Sequence, residues 1–167
     1  TTASITGVSG AILVDAVGSG GLALTATTTA AGGITVTTTT EALTLTSVTT
    51  NDGAILVTAT GQNIIATSVT SSTSSDANDI TLTTVTSGNI TLGTVTATGA
   101  GDVTLVAAGA GVIANAAGNA GAEIVADVFT VTDATSIGVG GNGPVDINAT
   151  TASITGVSGA ILVDAVG

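Results

Sequence analysis

Short apolar triplets recur along this chain at two alternating intervals, and that rhythm restricts its possible folds more than any other feature. From Leu22 the next triplets begin at Ile34, Leu43, Ile55 and Ile64, in steps of 12, 9, 12 and 9 residues. The middle residue of a triplet is usually Thr or small, an alternation of period two that reads as a short strand. Gly, Asn, Asp, Glu or Ala usually precedes the triplet, as turn chemistry requires. Two interleaved ladders result. One runs Ile12, Ile34, Ile55, Ile80, Val103, Ile124, Val145, Ile161, and the other Leu22, Leu43, Ile64, Ile90, Val112, Ile137, Ile154. Their shared period near 21 residues is the size of one turn of a parallel β-helix. Val17, Val48, Val69, Val85, Val95, Phe129 and Val166 each lie five places beyond the start of a triplet. An odd offset breaks alternation, so these positions mark an expected corner of the coil.

The first eighteen residues, Thr1 to Gly18, return without a substitution as Thr150 to Gly167. The expected organisation is one β-helical repeat over 1–149 and the start of an identical repeat over 150–167. Each ladder has seven members per repeat, so the reading is about seven coils of ~21 residues, rising roughly 34 Å per repeat, with the second copy restarting the ladder in phase. The fold class is therefore all-β, a parallel β-helix or solenoid. Thr-rich and Gly-rich runs with no 3.6-residue apolar stripe argue against helix. A β-sandwich would also accept strands at this spacing, but not a sustained two-step period.

Composition narrows the function. The chain has no Lys, Arg, His, Cys, Met, Trp or Tyr, one Phe and one Pro, and a formal charge of −11. Without a basic side chain, nucleic acid and anionic membrane surfaces are not expected partners. Without Cys there are no disulfides and no thiolate metal sites. A chain with neither a trypsin site nor an oxidisable sulfur suits a durable object outside the cell. The apolar run from Val103 to Ala122 is long enough to be tested as a membrane span. Its Gly and Asn content and its ladder spacing make it strand instead, so no membrane insertion is expected in this segment.

Units such as Gly53–Ser71 (GAILVTATGQNIIATSVTS) and Gly88–Gly111 (GNITLGTVTATGAGDVTLVAAGAG) resemble the repeats of filamentous-haemagglutinin-type exoproteins and giant repetitive adhesins. The resemblance implies a right-handed, secreted parallel β-helix that forms a long shaft at the cell surface.

The candidate chemical motifs are few. Gly138-Val139-Gly140-Gly141-Asn142-Gly143 matches GxGxxG, but Pro144 and a strand-like VDI follow where a dinucleotide site needs a helix. Gly140 to Asp146 approaches the calcium nonapeptide pattern, with its acid one residue late. Asp15, Glu41, Asp52, Asp76, Asp79, Asp102, Glu123, Asp127, Asp133, Asp146 and Asp164 are scattered singly, mostly at turns. With no basic partner, they make poor catalytic machinery. No enzyme is expected, and no cofactor beyond divalent cations such as calcium held loosely by the acidic surface. Asn89-Ile90-Thr91 and Asn148-Ala149-Thr150 are candidate glycosylation sequons. The coil that carries Ser71, Ser72, Thr73, Ser74, Ser75, Asp76, Ala77 and Asn78 is four residues over the period, so this segment is a candidate contact loop. Thr37 to Thr40 resembles the threonine ladders of ice-binding β-solenoids, yet such runs lack regular Thr-x-Thr spacing.

The functional expectation is a structural shaft of an extracellular filament or giant surface protein made of tandem β-helical repeats. The alternative is an adhesin module that binds surfaces or carbohydrate through the protruding loop. The expected partner is the next copy of the repeat, head to tail or in the same chain, with lateral bundling of shafts promoted by divalent cations.

Overall fold

The computed structural model describes residues 1–116, 121–139 and 142–167. Fifteen strands and no helix are present among them, and every strand pairing is parallel. The chain winds as a β-solenoid with three walls, each an inward apolar column. The first wall stacks Leu22, Leu43, Ile64, Ile90, Ile113, Ile137 and Ile161. The second stacks Ile5, Ala26, Val48, Val69, Val95, Ile124, Ile147 and Ala165. The third stacks Ile12, Ile34, Ile55, Ile80, Val103, Phe129 and Ala152.

Like sits on like because β-branched and leucine side chains fill the same space on successive rungs and expose almost nothing. From Ile34 to Val145 the column residues that line the core are at most 1% exposed. Outward positions alternate with them and carry mostly Thr and Ser, with Leu13, Leu56 and Ile65 among the exceptions, so one strand supplies both core and surface. Hydroxyls that do turn inward stand at wall ends and cap the turns. Thr38 Oγ1 donates to the Glu41 carbonyl (2.9 Å), Thr50 Oγ1 to that of Gly53 (2.7 Å) and Thr84 Oγ1 to that of Gly88 (2.9 Å). These bonds satisfy polar atoms that would otherwise be stranded in the core.

The fold class is as the triplets imply, but the coil count is lower. Ile12 to Ala152 spans six coils in 140 residues, about 23 residues each rather than 21. The ladders slip after Val103. Phe129, not Ile124, stacks on Val103, and Ile124 moves to the second wall above Val95. The cause is the longer corner between Asn115 and Ile124, nine residues apart where Leu92 and Val95 are three apart. Ile113 replaces Val112 in the first column, and Ile161 replaces Ile154. The corner assignment holds for Val48, Val69 and Val95. Val17 and Val85 are exposed instead, and Phe129 belongs to the third wall.

The second copy of the eighteen-residue segment therefore does not restart in phase. Ser4 pairs with Thr25 at the second wall, whereas its counterpart Ser153 pairs with Thr130 on the third. Ile12 lies on the third wall and its counterpart Ile161 on the first. From Ile5 to Ile154 and from Ile12 to Ile161 the chain advances six coils and one wall. Because the chain has no native Cys, paired cysteines can report this directly. Oxidation should cross-link both S4C/T25C and T130C/S153C, since rung neighbours lie within disulfide reach. An in-phase restart would instead put Ile154 on the second wall, where Ile5 stands, and T130C/S153C would not cross-link.

Candidate functional site

The Ser71–Asn78 segment leaves the second wall as a surface loop, as its extra length requires. It is not slack. Asn78 is fully buried beneath it: its Oδ1 accepts from Gly53 N (2.7 Å), and its Nδ2 donates to the Thr73 carbonyl (2.9 Å) and to Thr73 Oγ1. Asn78 N donates to the Ser75 carbonyl (3.1 Å), and Ser72 N to that of Thr50 (3.0 Å). Thr73 Oγ1 donates to Asp52 Oδ1 (3.1 Å). Ser71 is buried at the strand end, whereas Ser72, Ser74, Asp76 and Ala77 are exposed. One asparagine thus holds both ends of a short polar loop in fixed relation.

Several of the acids and asparagines link one rung to the next. Asp79 Oδ1 accepts from Asp102 N (3.0 Å), and Asp102 Oδ1 accepts from Val128 N (3.0 Å). Glu123 Oε2 accepts from Asp146 N (2.6 Å). Asp15 Oδ1 accepts from Thr37 Oγ1 (3.0 Å). Asn63 Oδ1 accepts from Asn89 N (2.8 Å), and Asn89 Oδ1 accepts from Val112 N (2.9 Å). A turn interrupts the backbone ladder, and a short carboxylate or amide arm continues it to the next coil. Asn89 therefore carries structural duty through its carbonyl oxygen, while the other sequon residue, Asn148, is exposed on a strand. Among the described residues no three acidic side chains gather into a metal-sized group. Asp146 and Asp164 do stand one rung apart in register.

The glycine motif ends as the sequence suggests. Gly138 and Gly143 have positive φ (71° and 134°), and a strand from Val145 follows where a nucleotide site needs a helix. Gly140 and Gly141, which also open the calcium-like stretch, lie outside the described residues, as do residues 117–120 of the apolar Val103–Ala122 run. The described parts of that run form separate short strands at Val103–Ala107 and Val112–Asn115, and among the described residues no helix is long and apolar enough to cross a membrane. Inside this region Asn115 occupies the first-wall position that Leu24, Leu45 and Leu92 fill on other rungs. Its Nδ2 donates to the Pro144 carbonyl (3.0 Å) while its buried Oδ1 has no partner.

The feature that sequence reading missed is on the outside of the second wall. Thr27, Thr49, Thr70 and Thr96 pair in register on four successive rungs. Two residues earlier on each strand stand Thr25, Ser47, Ser68 and Thr94, with Ser4 paired to Thr25 on the rung below. The inward residue between each pair is Ala26, Val48, Val69 or Val95, fully buried. The signal was present as five Ser/Thr-x-Thr units, at Ser4, Thr25, Ser47, Ser68 and Thr94. It is dispersed at 21 to 26 residue intervals and hidden among many other threonines.

No family model, curated protein or solved structure matches the chain.

Proposed function

We propose that the chain is part of a structural shaft, an extracellular filament or giant surface protein built from tandem solenoid repeats. The observation that carries this reading is the fate of the repeated segment. Residues of the second copy pair in parallel with the rungs beneath them, Thr151 to Ile154 on Val128 to Val131 and Val163 to Ala165 on Val145 to Ile147. A solenoid repeat that continues the stack in this way extends a shaft, because each rung contacts only its neighbours. On a rung spacing of ~4.8 Å, 149 residues advance about 30 Å, less than seven coils would give.

The proposed partner is the next copy of the repeat, and the acidic, base-free surface supports cation-dependent lateral bundling of neighbouring shafts. Antibodies against the chain should label intact, unpermeabilised source cells and decorate filaments a few nanometres wide that bundle on addition of calcium. Labelling only after lysis, of compact particles, would contradict this reading. The second reading, an adhesin module, is favoured by the pinned Ser71–Asn78 loop, since a pre-ordered loop loses little entropy on binding. Deleting residues 72–77 should then abolish surface attachment while filaments persist.

A further inference from the structure

We propose that the outer second wall, from Ser4 to Thr96, is a binding face for crystalline water. This inference does not depend on the shaft reading, because it concerns a surface that a single unit already carries. The face has three properties that occur together nowhere else among the described residues.

First, it is periodic in two directions. Along the solenoid, Thr27, Thr49, Thr70 and Thr96 repeat at the rung spacing of ~4.8 Å. Along each strand a second hydroxyl stands two residues away, ~6.6 Å, at Thr25, Ser47, Ser68 and Thr94. Those two intervals are close to the repeats between water oxygens on a prism face of ordinary ice. Second, the hydroxyls are unused. None of Ser4, Thr6, Thr25, Thr27, Ser47, Thr49, Ser68, Thr70, Thr94 or Thr96 gives or takes a side-chain hydrogen bond among the described residues. Three of the four threonines of the Thr37–Thr40 run, by contrast, are spent internally. Thr37 bonds Asp15, Thr38 bonds Glu41 and Thr40 bonds the Gly18 carbonyl. Third, the face is neutral in a chain of charge −11. None of the eleven acids lies in its two columns. The pattern stops where Val125 pairs with Thr96.

The array is also stiff. Each outward threonine has a restricted χ1 rotamer, and its strand is fixed by ladder bonds on both sides and by the buried residue beside it. A free hydroxyl gains little by exchanging one water for another. A rigid grid of hydroxyls, those of the threonines each beside a methyl group, instead holds a water layer in lattice positions at no further ordering cost to the protein.

Other occupants fit less well. Sugar rings are held mainly by aromatic stacking and a few directed polar groups, and the one aromatic residue, Phe129, is fully buried on another wall. A protein partner needs apolar or aromatic anchors, which the two columns lack. The third wall offers partial Thr-x-Thr units at Thr35/Thr37 and Thr81/Thr83, but Asp15, Leu56 and Val106 interrupt it.

The test is partition of the 167-residue protein into slowly growing polycrystalline ice, together with recrystallisation of fine ice grains. The wild-type protein should be enriched in the ice fraction over a freely excluded protein and should slow grain growth. T49Y/T70Y should lose both effects, T49A/T70A should weaken both, and the third-wall pair T35Y/T81Y should keep both. The alanine pair leaves the ladder intact and covers the case in which tyrosines disturb folding, which circular dichroism would reveal. Exclusion of the wild-type protein from ice, or equal behaviour of second-wall and third-wall variants, would overturn the proposal.

Discussion

Replacing Phe129 with alanine should lower the melting temperature by about 6–20 °C, the largest effect expected of any single truncation in this core. Phe129 is the one aromatic residue, is completely buried, and is paired in register with Val103 on one rung and Ala152 on another. Phe-to-Ala changes in well-packed cores cost about 3–5 kcal/mol. A chain of this size moves roughly 2–4 °C per kcal/mol. A solenoid rung cannot collapse to fill the void, because the rungs on either side fix its strands. Calorimetry of the purified variant measures this, and a shift under about 3 °C would mean that the rung is packed differently.

Gly88→Ala should be the most damaging of the small substitutions, with a melting temperature about 5–10 °C below the parent. Gly88 has φ 124°, where an L side chain is strained, and a Cβ there would overlap the Gln62 carbonyl on the adjacent rung. Thr84 Oγ1 also donates to the Gly88 carbonyl (2.9 Å), so the turn is fixed from both sides. Left-handed or extended-positive strain costs roughly 1–3 kcal/mol, and the clash adds to it. The effect should reach Ile64 and Ile90, which pair just beyond this turn, as faster amide exchange. Gly10→Ala serves as the comparison: a Cβ there meets nothing within 4 Å, and its stability should be unchanged.

The walls were legible in the sequence because burial on a pleated strand imposes a period of two, and Ile, Leu and Val occupy those positions with little exception. The phase between walls was not. Val103 to Ile124 and Val103 to Phe129 are both plausible steps on apolar spacing alone, and only the length of the corner after Asn115 decides between them. The roles of the acids were half visible. Turn placement holds for Glu41, Asp52, Asp76, Asp79, Asp102 and Glu123, whereas Asp15, Asp127, Asp133, Asp146 and Asp164 lie in strands. The hydrogen bonds to the next coil depend on register, which fixes Asp79 below Asp102 and Asp102 below Val128. The hydroxyl grid of the second wall was obscured for the same reason. Ser47-Val48-Thr49 and Ser68-Val69-Thr70 look like any other Thr-rich stretch until stacking places them side by side.

The identical eighteen residues show how much of the conformation a neighbouring rung dictates. Ile12 to Ala16 form one straight strand on the third wall. Their counterparts touch the first wall at Ile161 and reach the second by Ala165. The sequence is the same and the underlying rung differs, so register comes from the template beneath and not from the segment alone.

The claim that repeats continue one solenoid is tested most directly by the contour length of proteins carrying one, two and four tandem 149-residue units, measured by electron microscopy. Each unit should add about 30 Å to a rod of constant width. Particles that widen as units are added, or that remain a string of separate compact bodies, would contradict it.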